Sequence, residues 1–359
     1  MTRNEILHWL RESDENVLCS LWERADAVRR QCVGDDVHLR GLIEISNVCA
    51  RECHYCGLRA GHAAVSRYRM TADEILACAR EAVEFGYGTV VLQSGEDHGI
   101  TRRWMCDLIA RIRDETPLAV TLSLGERSDE DLAAWRAAGA DRYLLRFETS
   151  NRRLYDRIHP PLAGRRSDRF AILRRLRELD YEVGSGVMVG IPGQSYEDLA
   201  DDIDWFRRLD LDMIGVGPYL PHPETPLGRD PAANLPPGRQ VPNTDLMTCK
   251  VLALTRLACP YANLPSTTAL ATVNPDHGRE LGLIRGANVV MPNLTPPEYR
   301  CKYEIYPDKA CLHETARHCQ GCLRGRITAI GRTVGAGPGG SPNWLRRRGA
   351  CAVPDGYPR

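Results

Sequence analysis

Lysine is scarce in this 359-residue sequence, and neither sign of charge is in surplus. Of its 47 basic residues only Lys250, Lys302 and Lys309 are lysine, a bias that a GC-rich genome accounts for. The 47 acidic residues bring the formal charge to zero, whereas a nucleic-acid-binding protein normally carries a basic surplus. Apolar runs also stay below the ~18–20 residues that span a bilayer. We therefore expect neither a nucleic-acid nor a membrane partner.

The first twenty residues mix acidic and apolar side chains at helical spacing, which is typical of neither a signal nor a transit peptide. The expected location is the cytoplasm. Fourteen cysteines are therefore unusual, because disulfides are rare in a reducing compartment. This number of thiols favours metal binding or catalysis.

From residue 38 onward, short β-branched runs alternate with amphipathic segments. The runs predict eight strands, at 38–46, 89–95, 119–125, 142–148, 183–191, 213–220, 263–270 and 288–293. Capping boxes that begin at Thr71, Ser128 and Ser195 mark the start of predicted helices. Eight alternations in ~250 residues predict an α/β fold of the (β/α)8 TIM-barrel type. A doubly wound open sheet is the alternative, because alternation alone does not establish closure.

The predicted organisation has four parts. Residues 1–37 form an N-terminal helical extension, 38–300 the barrel, 301–324 a C-terminal cysteine-bearing region and 325–359 a Gly/Pro/Arg-rich tail that is partly disordered. The tail contains a G-x-G-x-x-G match at Gly335, Gly337 and Gly340. This motif binds dinucleotides only between a strand and a helix, and we expect no helix after it.

Three cysteines follow the first predicted strand, in the run Cys49-Ala-Arg-Glu-Cys53-His-Tyr-Cys56. Ligands that recur every three or four residues can face one iron–sulfur cluster. Three ligands on a four-iron cluster leave one iron open for a substrate. A zinc site with His54 as fourth ligand, or three merely buried cysteines, are the alternatives.

The C-x3-C-x2-C spacing, with Tyr55 before the last cysteine, resembles the radical S-adenosylmethionine (SAM) enzymes. The resemblance implies that Cys49, Cys53 and Cys56 bind a catalytic 4Fe–4S cluster whose open iron chelates the methionine part of SAM. An electron then cleaves a C–S bond and gives a 5′-deoxyadenosyl radical. A loop after the first strand lies at the C-terminal face, where barrel active sites are built.

Other predicted strand ends carry suitable groups for that cofactor. An arginine pair can clamp a carboxylate, and a glutamate can hold ribose hydroxyls or an ammonium. The run Gln93-Ser94-Gly95-Glu96-Asp97 is similar to the glycine–glutamate motif that receives the methionine amino group. The expected cofactor residues are Tyr55, Gln93, Ser94, Arg146, Glu148 and Arg169.

A narrower resemblance covers about residues 38–325. The runs GLIEISNVC, RYRMT, VLQSGED, VTLSLGE, MVGIPGQ, GVGPYLPHPETPL, STTALAT and GANVVMPN are together similar to the HydE maturases of FeFe-hydrogenase. The resemblance implies a radical that attacks the cysteine sulfur of an iron carbonyl–cyanide synthon. This small organometallic substrate comes from the maturase HydG, and the product goes towards the scaffold HydF.

The same resemblance implies a substrate cavity inside the barrel, lined by Thr121, Arg142, Thr267, Thr268, Met291, Tyr303 and Tyr306. Barrel core is the rival interpretation for Met291, and helical packing for Tyr303 and Tyr306. Phe147 departs from the family, which commonly has a histidine between the residues that correspond to Arg146 and Glu148.

A second cysteine group, Cys311, Cys319 and Cys322, is spaced to hold another iron–sulfur cluster. HydE proteins with this pattern carry a second cluster that they do not need for activity. Zinc on the three cysteines and a histidine, His313 or His318, is the alternative.

Three other functions compete with this interpretation. Methylornithine synthase shares the fold and the first motif, but it typically lacks the second cysteine group. Biotin synthase needs further cysteines at the later strand ends, and none are suitably placed there. A non-catalytic iron–sulfur or zinc scaffold does not explain the polar residues at the strand ends.

Overall fold

The computed structural model describes residues 1–162, 166–230, 234–236, 238–312 and 315–349. The strands are β1 (Asp36–Ser46), β2 (Thr89–Ser94), β3 (Ala119–Ser123), β4 (Arg142–Leu144), β5 (Glu182–Val189), β6 (Met213–Pro218), β7 (Val289–Val290) and β8 (Thr333–Val334). The helices up to the fifth strand are α1 (Arg3–Arg11), α2 (Glu15–Val33), α3 (Ala72–Glu84), α4 (Arg102–Glu115), α5 (Asp129–Ala137), α6 (Arg152–Ile158) and α7 (Arg169–Glu178). Those that follow are α8 (Tyr196–Arg208), α9 (Pro226–Arg229), α10 (Asp245–Ala258), α11 (Thr268–Val273), α12 (Gly278–Ile284), α13 (Pro297–Arg300), α14 (Ala316–Ala329) and α15 (Pro342–Arg347).

The strands form one parallel sheet in the order β6-β5-β4-β3-β2-β1-β7. Each strand from β1 to β5 pairs with the next along the chain, which differs from the order reversal of a doubly wound sheet. The short β8 also pairs with the start of β1. Residues 263–265 join the two ends of the sheet, since Asn263 bridges to Met213 on β6 and Pro265 to Val289 on β7. The prediction of a (β/α)8-type fold is confirmed, and the doubly wound alternative is wrong.

Three helices begin at the capping residues that the sequence predicted. Thr71 and Ser195 form reciprocal capping boxes with Glu74 and Asp198, and Ser128 accepts a hydrogen bond from the backbone N–H of Asp131. These bonds satisfy N–H groups that a helix otherwise leaves unpaired in its first turn.

Three predicted strands are shorter than expected. The run 263–270 pairs only through its first residues, because Thr267 caps α11 and the chain turns helical at Thr268. The run 142–148 is a strand over Arg142–Leu144 alone, and 288–293 over Val289–Val290 alone. Glu148 has a φ of 62°, which is incompatible with a regular strand.

One contact defines which side chains face the barrel interior. Arg40 on β1 donates from Nη1 to the Met213 sulfur on β6 at 2.8 Å, although these strands are not neighbours. Because side chains alternate along a strand, Glu44 also points inward from β1 and Gly215 from β6. Among the described residues, a Cβ at Gly215 would have only the Ser185 carbonyl oxygen, 3.9 Å away, within 4 Å. In the described part of the chain, the barrel therefore keeps open space beside Gly215.

The first two helices cover one side of the barrel, α1 packing on α8 and α2 on α10. Leu10, Leu18 and Leu21 are fully or almost fully buried there. Within the described residues, no helix combines the length and the apolar character that crossing a membrane requires.

The expectation of no helix beyond the glycine-rich motif is wrong. The motif lies between β8 and α15, and its loop covers the N-terminal end of the barrel. The carbonyl of Pro338 accepts hydrogen bonds from Thr89 and Arg142, and that of Gly339 from Arg40. The loop therefore binds barrel side chains at this end. Residues 350–359 lie outside the described part of the chain.

Candidate active site

The three cysteines of the first motif lie on the loop that leaves the C-terminal end of β1. Cys53 is buried, and Cys49 and Cys56 are half-buried. Burial raises the pKa of all three thiols, to about 12 for Cys56. Repulsion between thiolate charges contributes, since Cys49 raises the pKa of Cys56 and Cys56 raises the pKa of Cys53. Cys49 is therefore near Cys56, and Cys56 near Cys53, although no three Cys, His, Asp or Glu side chains of the described residues are already arranged around a metal position. A bound cation would stabilise the three thiols as thiolates.

Backbone groups fix the position of Cys49. Its sulfur accepts hydrogen bonds from the N–H groups of Arg51 at 3.5 Å and Glu96 at 3.4 Å. A Cβ on Gly95 would lie 2.3 Å from the Val48 carbonyl oxygen and 2.8 Å from the Cys49 Cβ. Glycine at position 95 therefore allows the cysteine loop to pack against the end of β2.

A buried ionic network lies behind this loop. The Arg51 Nε is 2.9 Å from Glu96 Oε1, and its Nη2 is 2.7 Å from Glu126 Oε2. Glu126 also accepts from Arg169 Nε at 3.1 Å. These four side chains are buried, and the network joins the cysteine loop to the first turn of α7.

A directional hydrogen-bond chain extends from Arg169. Arginine only donates, so the His159 Nε2 that it contacts must accept, which places the histidine proton on Nδ1. The proton on Nδ1 then points to the Tyr155 hydroxyl at 3.1 Å, which donates to Ser167 at 2.8 Å, and Ser167 donates to Glu126. Burial, followed by the charges of Arg169 and Arg51, lowers the pKa of His159 to about 2. This histidine is therefore neutral.

Arg146 and Glu148 follow the C-terminal end of β4. They lie at the C-terminal opening of the barrel, which is here called the mouth. Arg146 Nη2 donates to the Val187 carbonyl at 2.6 Å and lies 3.0 Å from Glu148 Oε2. Among the described residues, that oxygen and the Arg146 Nε are both buried without a hydrogen-bond partner. A glutamate held at positive φ costs roughly 1–3 kcal/mol, and such strain is typical of ligand-binding positions.

The other expected cofactor residues surround the same mouth. Gln93 donates from Nε2 to the Tyr303 hydroxyl at 3.3 Å, and Ser94 bonds to the neighbouring Gly95 carbonyl. Tyr55 packs against a cluster that contains Met188, and burial raises its pKa well above the usual value.

Arg169 and Phe147 differ in how they relate to the mouth. Arg169 uses its Nε, Nη1 and Nη2 on Glu126, Arg146 and His159, which leaves two of its five N–H groups for a ligand. Phe147 stacks on Phe170 with 5.0 Å between ring centroids, within the core outside the barrel wall. The Phe147 ring therefore packs in the core and not with the polar groups of Arg146 and Glu148.

Two expected substrate residues lie deeper in the barrel than the cysteine loop. Arg142 is the first residue of β4, at the N-terminal end, and forms a buried ion pair with Glu182 at 2.6 Å. It also donates to Thr89 and Pro338, so three protein partners hold its guanidinium. Thr121 pairs with Arg142 in the sheet register, and its buried hydroxyl has no hydrogen-bond partner among the described residues. The three contacts of Arg142 use three of its five N–H groups.

The remaining expected substrate residues lie on the later elements. Thr267 donates to the Val216 carbonyl at 3.2 Å, and Thr268 begins α11. Met291 is half-buried just after β7 and is outside the hydrophobic core clusters. Burial and the charge of Glu44 raise the pKa values of Tyr303 and Tyr306.

The second cysteine group is only partly described. Cys311 is half-buried, has a φ of 65° and accepts from Arg279 Nη2 at 3.7 Å. Cys322 is exposed on α14. The pKa of Arg326 is raised first by its hydrogen bond to Glu280, and the thiols of Cys322 and Cys311 contribute to the increase. The side chains of Cys319 and His318, and all of His313, lie outside the described residues.

Several site residues were missed by sequence reasoning about function. Arg51, Glu126 and His159 form the network behind the cysteine loop, while Glu44 and Lys309 form a buried ion pair inside the barrel. Only Lys309 carried a usable signal, as one of three lysines in an arginine-rich chain.

Comparison with known proteins agrees with this geometry. The Radical SAM superfamily model matches residues 43–206. The chain is 44% identical to the [FeFe] hydrogenase maturase subunit HydE of Thermotoga maritima, over 94% of this chain and 93% of that one. It is 27% identical to 3-methylornithine synthase of Methanosarcina acetivorans, over 78% and 75% of the two chains.

Two solved structures share the fold. Methylornithine synthase superposes with a TM-score of 0.79 at 23% identity, covering 98% of this chain and 96% of that one. HydG of Carboxydothermus hydrogenoformans gives 0.74 at 20% identity, covering 92% and 75%. At these identities the likeness shows the fold, whereas the HydE match shows the family. The chain belongs to the HydE family of radical SAM enzymes, which act in FeFe-hydrogenase maturation.

Proposed function

We propose that this enzyme processes a cysteine-bearing iron carbonyl–cyanide synthon on the way to the hydrogenase cluster. The observation that carries the proposal is the position of the Cys49–Cys56 loop. This loop follows β1 at the C-terminal end of the barrel, where β2 ends at Gln93 and Ser94 and Gln93 contacts Tyr303. Such an arrangement suits a compact polar ligand beside a metal centre.

The cysteine loop would hold the 4Fe–4S cluster that radical SAM enzymes use, because Cys49, Cys53 and Cys56 recur within eight residues of one loop. Three cysteine ligands would leave the fourth iron for SAM. When bound, the cluster would pass one electron from an external low-potential donor to SAM, whose C–S bond would break to give methionine and a 5′-deoxyadenosyl radical. In the proposal the 5′ carbon of this radical would form a bond to the cysteine sulfur of the synthon, and the odd electron would pass to the synthon's low-spin iron, which is thereby reduced by one electron.

The side chains at the mouth have distinct tasks in this proposal. Glu148 Oε2 and Arg146 Nε, both without a hydrogen-bond partner in the described structure, bind the hydroxyl and carboxylate groups of SAM, together with the remaining N–H groups of Arg169. Gln93, Ser94 and Tyr55 complete the cofactor site.

The substrate lies further inside the barrel in this proposal. The Thr121 hydroxyl, which has no partner among the described residues, is available to a cyanide nitrogen. The expected lining is Thr121, Arg142, Thr267, Thr268, Met291, Tyr303 and Tyr306. Contacts with Glu182, Thr89 and Pro338 hold the Arg142 guanidinium in its position.

The partners and the second metal site belong to the same proposal. HydG supplies the synthon, and HydF receives the product. Cys311, Cys319 and Cys322 hold a second iron–sulfur cluster that the reaction does not need.

Anaerobic reconstitution tests the radical step. Cys49→Ser should abolish formation of 5′-deoxyadenosine from SAM, whereas Cys19→Ser, at an exposed position on α2, should leave it unchanged. Undiminished 5′-deoxyadenosine from Cys49→Ser would refute the mechanism.

Maturation of an FeFe-hydrogenase in a mixture with HydG and HydF tests the substrate. The synthon should increase the consumption of SAM, and omission of this protein should leave the hydrogenase inactive. If lysine supports turnover and the synthon does not, the methylornithine synthase alternative replaces the proposal.

A further inference from the structure

Residues 301–311, here called the strap, cross the cysteine loop from outside the barrel. Asn47, just before the loop, donates from Nδ2 to the Lys302 carbonyl at 2.7 Å. Gly57, just after Cys56, donates its N–H to the Ile305 carbonyl at 3.0 Å. A Cβ on Gly57 would lie 2.3 Å from the Glu304 carbonyl oxygen, so the two backbones are in close contact. The strap thus contacts the loop on both sides of the cysteines.

A buried ion pair fixes the far end of the strap inside the barrel. The Lys309 ammonium contacts Glu44 Oε1 on β1, and the side chains are only 5% and 1% exposed. The second Glu44 oxygen accepts from Asn293 Nδ2 at 3.0 Å. The next residue, Ala310, donates its N–H to the Thr272 hydroxyl at 3.1 Å. Lys309 therefore joins the strap to the inward face of β1.

The same lysine contacts the tyrosine that the strap presents to the site. Lys309 Nζ lies 3.4 Å from the Tyr303 carbonyl oxygen and 5.1 Å from the centroid of the Tyr303 ring. The hydroxyl of that ring receives the Gln93 hydrogen bond at 3.3 Å. Its raised pKa reflects burial first and then Glu44, Cys56 and Cys49, so the hydroxyl lies between the ion pair and the cysteine loop.

We propose that Lys309 is a positioning residue: bound to Glu44, it holds the strap closed over the cysteine loop and sets the Tyr303 hydroxyl beside Gln93. A buried ion pair adds little stability over an apolar pair of similar volume, because desolvation offsets the attraction. Its advantage here is geometric, since an ammonium bound to one carboxylate sets the register of the strap. Two experiments test this role. The measurement of synthon turnover rests on the proposed function, whereas the measurement of hydrogen exchange does not.

The first experiment measures hydrogen exchange of the cluster-loaded protein. In Lys309→Met, the amides of the strap and of Gly57 should exchange at least tenfold faster than in the wild type, while those of β2 and β3 are unchanged. Lys309→Arg should restore slow exchange. Lys302→Met is the matched control, because the backbone carbonyl of that residue makes the contact with Asn47.

A second variant covers the case in which a lone buried carboxylate prevents folding of Lys309→Met. Glu44→Gln/Lys309→Met removes both charges and should show the same fast exchange of the strap. Slow exchange of the strap in whichever of these variants folds would overturn the proposal.

The second experiment separates positioning from mere stability. Lys309→Met should raise the apparent KM for the synthon about tenfold and leave the apparent KM for SAM within twofold. Tyr303→Phe should change the two apparent KM values in the same way. The double variant Lys309→Met/Tyr303→Phe should show no larger increase in the KM for the synthon than either single variant, because both substitutions act through the Tyr303 hydroxyl. Multiplicative losses in the double variant would overturn the positioning role. If the wild type shows no turnover that depends on the synthon, the proposed function fails, and the exchange measurement still decides the role of Lys309.

Discussion

Arg51 and Glu126 form a buried ion pair, with 2.7 Å between Nη2 and Oε2 and exposed side-chain fractions of 2% and 1%. Arg51 lies between two cysteines of the loop, while Glu126 follows β3 and also contacts Arg169. One carboxylate therefore joins the cysteine loop to a residue proposed to bind SAM. Displacement of Glu126 should affect both.

Glu126→Ala should lower the free energy of unfolding by roughly 3–5 kcal/mol, because it leaves the buried guanidinium of Arg51 with fewer partners. Glu115→Ala is the control, since its ion pair with Arg80 is largely exposed and is worth at most about 1 kcal/mol. Urea denaturation measures both values. Equal losses in the two variants would contradict the assigned importance of the network.

Acid should destabilise the protein through His159. Its folded pKa of about 2 lies below the usual 6.5, so the unfolded chain binds a proton that the folded chain does not. Its contribution is complete above pH 6.5 and declines as the pH falls, by about 1.4 kcal/mol per unit. The stability advantage of the wild type over His159→Asn should shrink by about 2 kcal/mol between pH 6.5 and 5, as measured by unfolding. A constant difference would show that His159 takes up a proton in the folded protein.

The sequence predicted features that depend on neighbouring residues. The cap of α3 at Thr71 needs only Glu74, three positions away, and the motif from Cys49 to Cys56 spans eight residues. The Lys309–Glu44 pair joins positions 265 residues apart, so no local pattern indicates it.

Arg142 shows a second limit of sequence reasoning. Its residue type suits an anion site, and the predicted strand 142–148 already began at this residue, as β4 does. The sequence did not indicate what holds its guanidinium, because its partners Glu182, Thr89 and Pro338 lie 40, 53 and 196 residues away.

Gly95→Ala should impair cluster assembly more than folding. The new methyl group would lie 2.3 Å from the Val48 carbonyl oxygen, and that backbone cannot move without displacing Cys49. We expect the iron bound after reconstitution to fall at least twofold, with the far-UV circular dichroism spectrum unchanged. Gly325→Ala on α14, where a Cβ has no neighbour within 4 Å among the described residues, should bind iron like the wild type. Full iron loading of Gly95→Ala would show that the loop tolerates the shift.

Arg142→Ala should destabilise the barrel end and leave SAM cleavage per bound cluster within twofold of the wild type. It removes the partner of the buried Glu182 and two hydrogen bonds, including that to the Pro338 carbonyl. We expect a loss of roughly 3–5 kcal/mol in unfolding free energy and faster proteolysis of the segment from β8 to α15. Arg142→Ala/Glu182→Ala should recover part of the stability, because no buried charge then remains alone. If Arg142→Ala instead kept the stability of the wild type, the contacts with Glu182, Thr89 and Pro338 would not stabilise this end of the barrel.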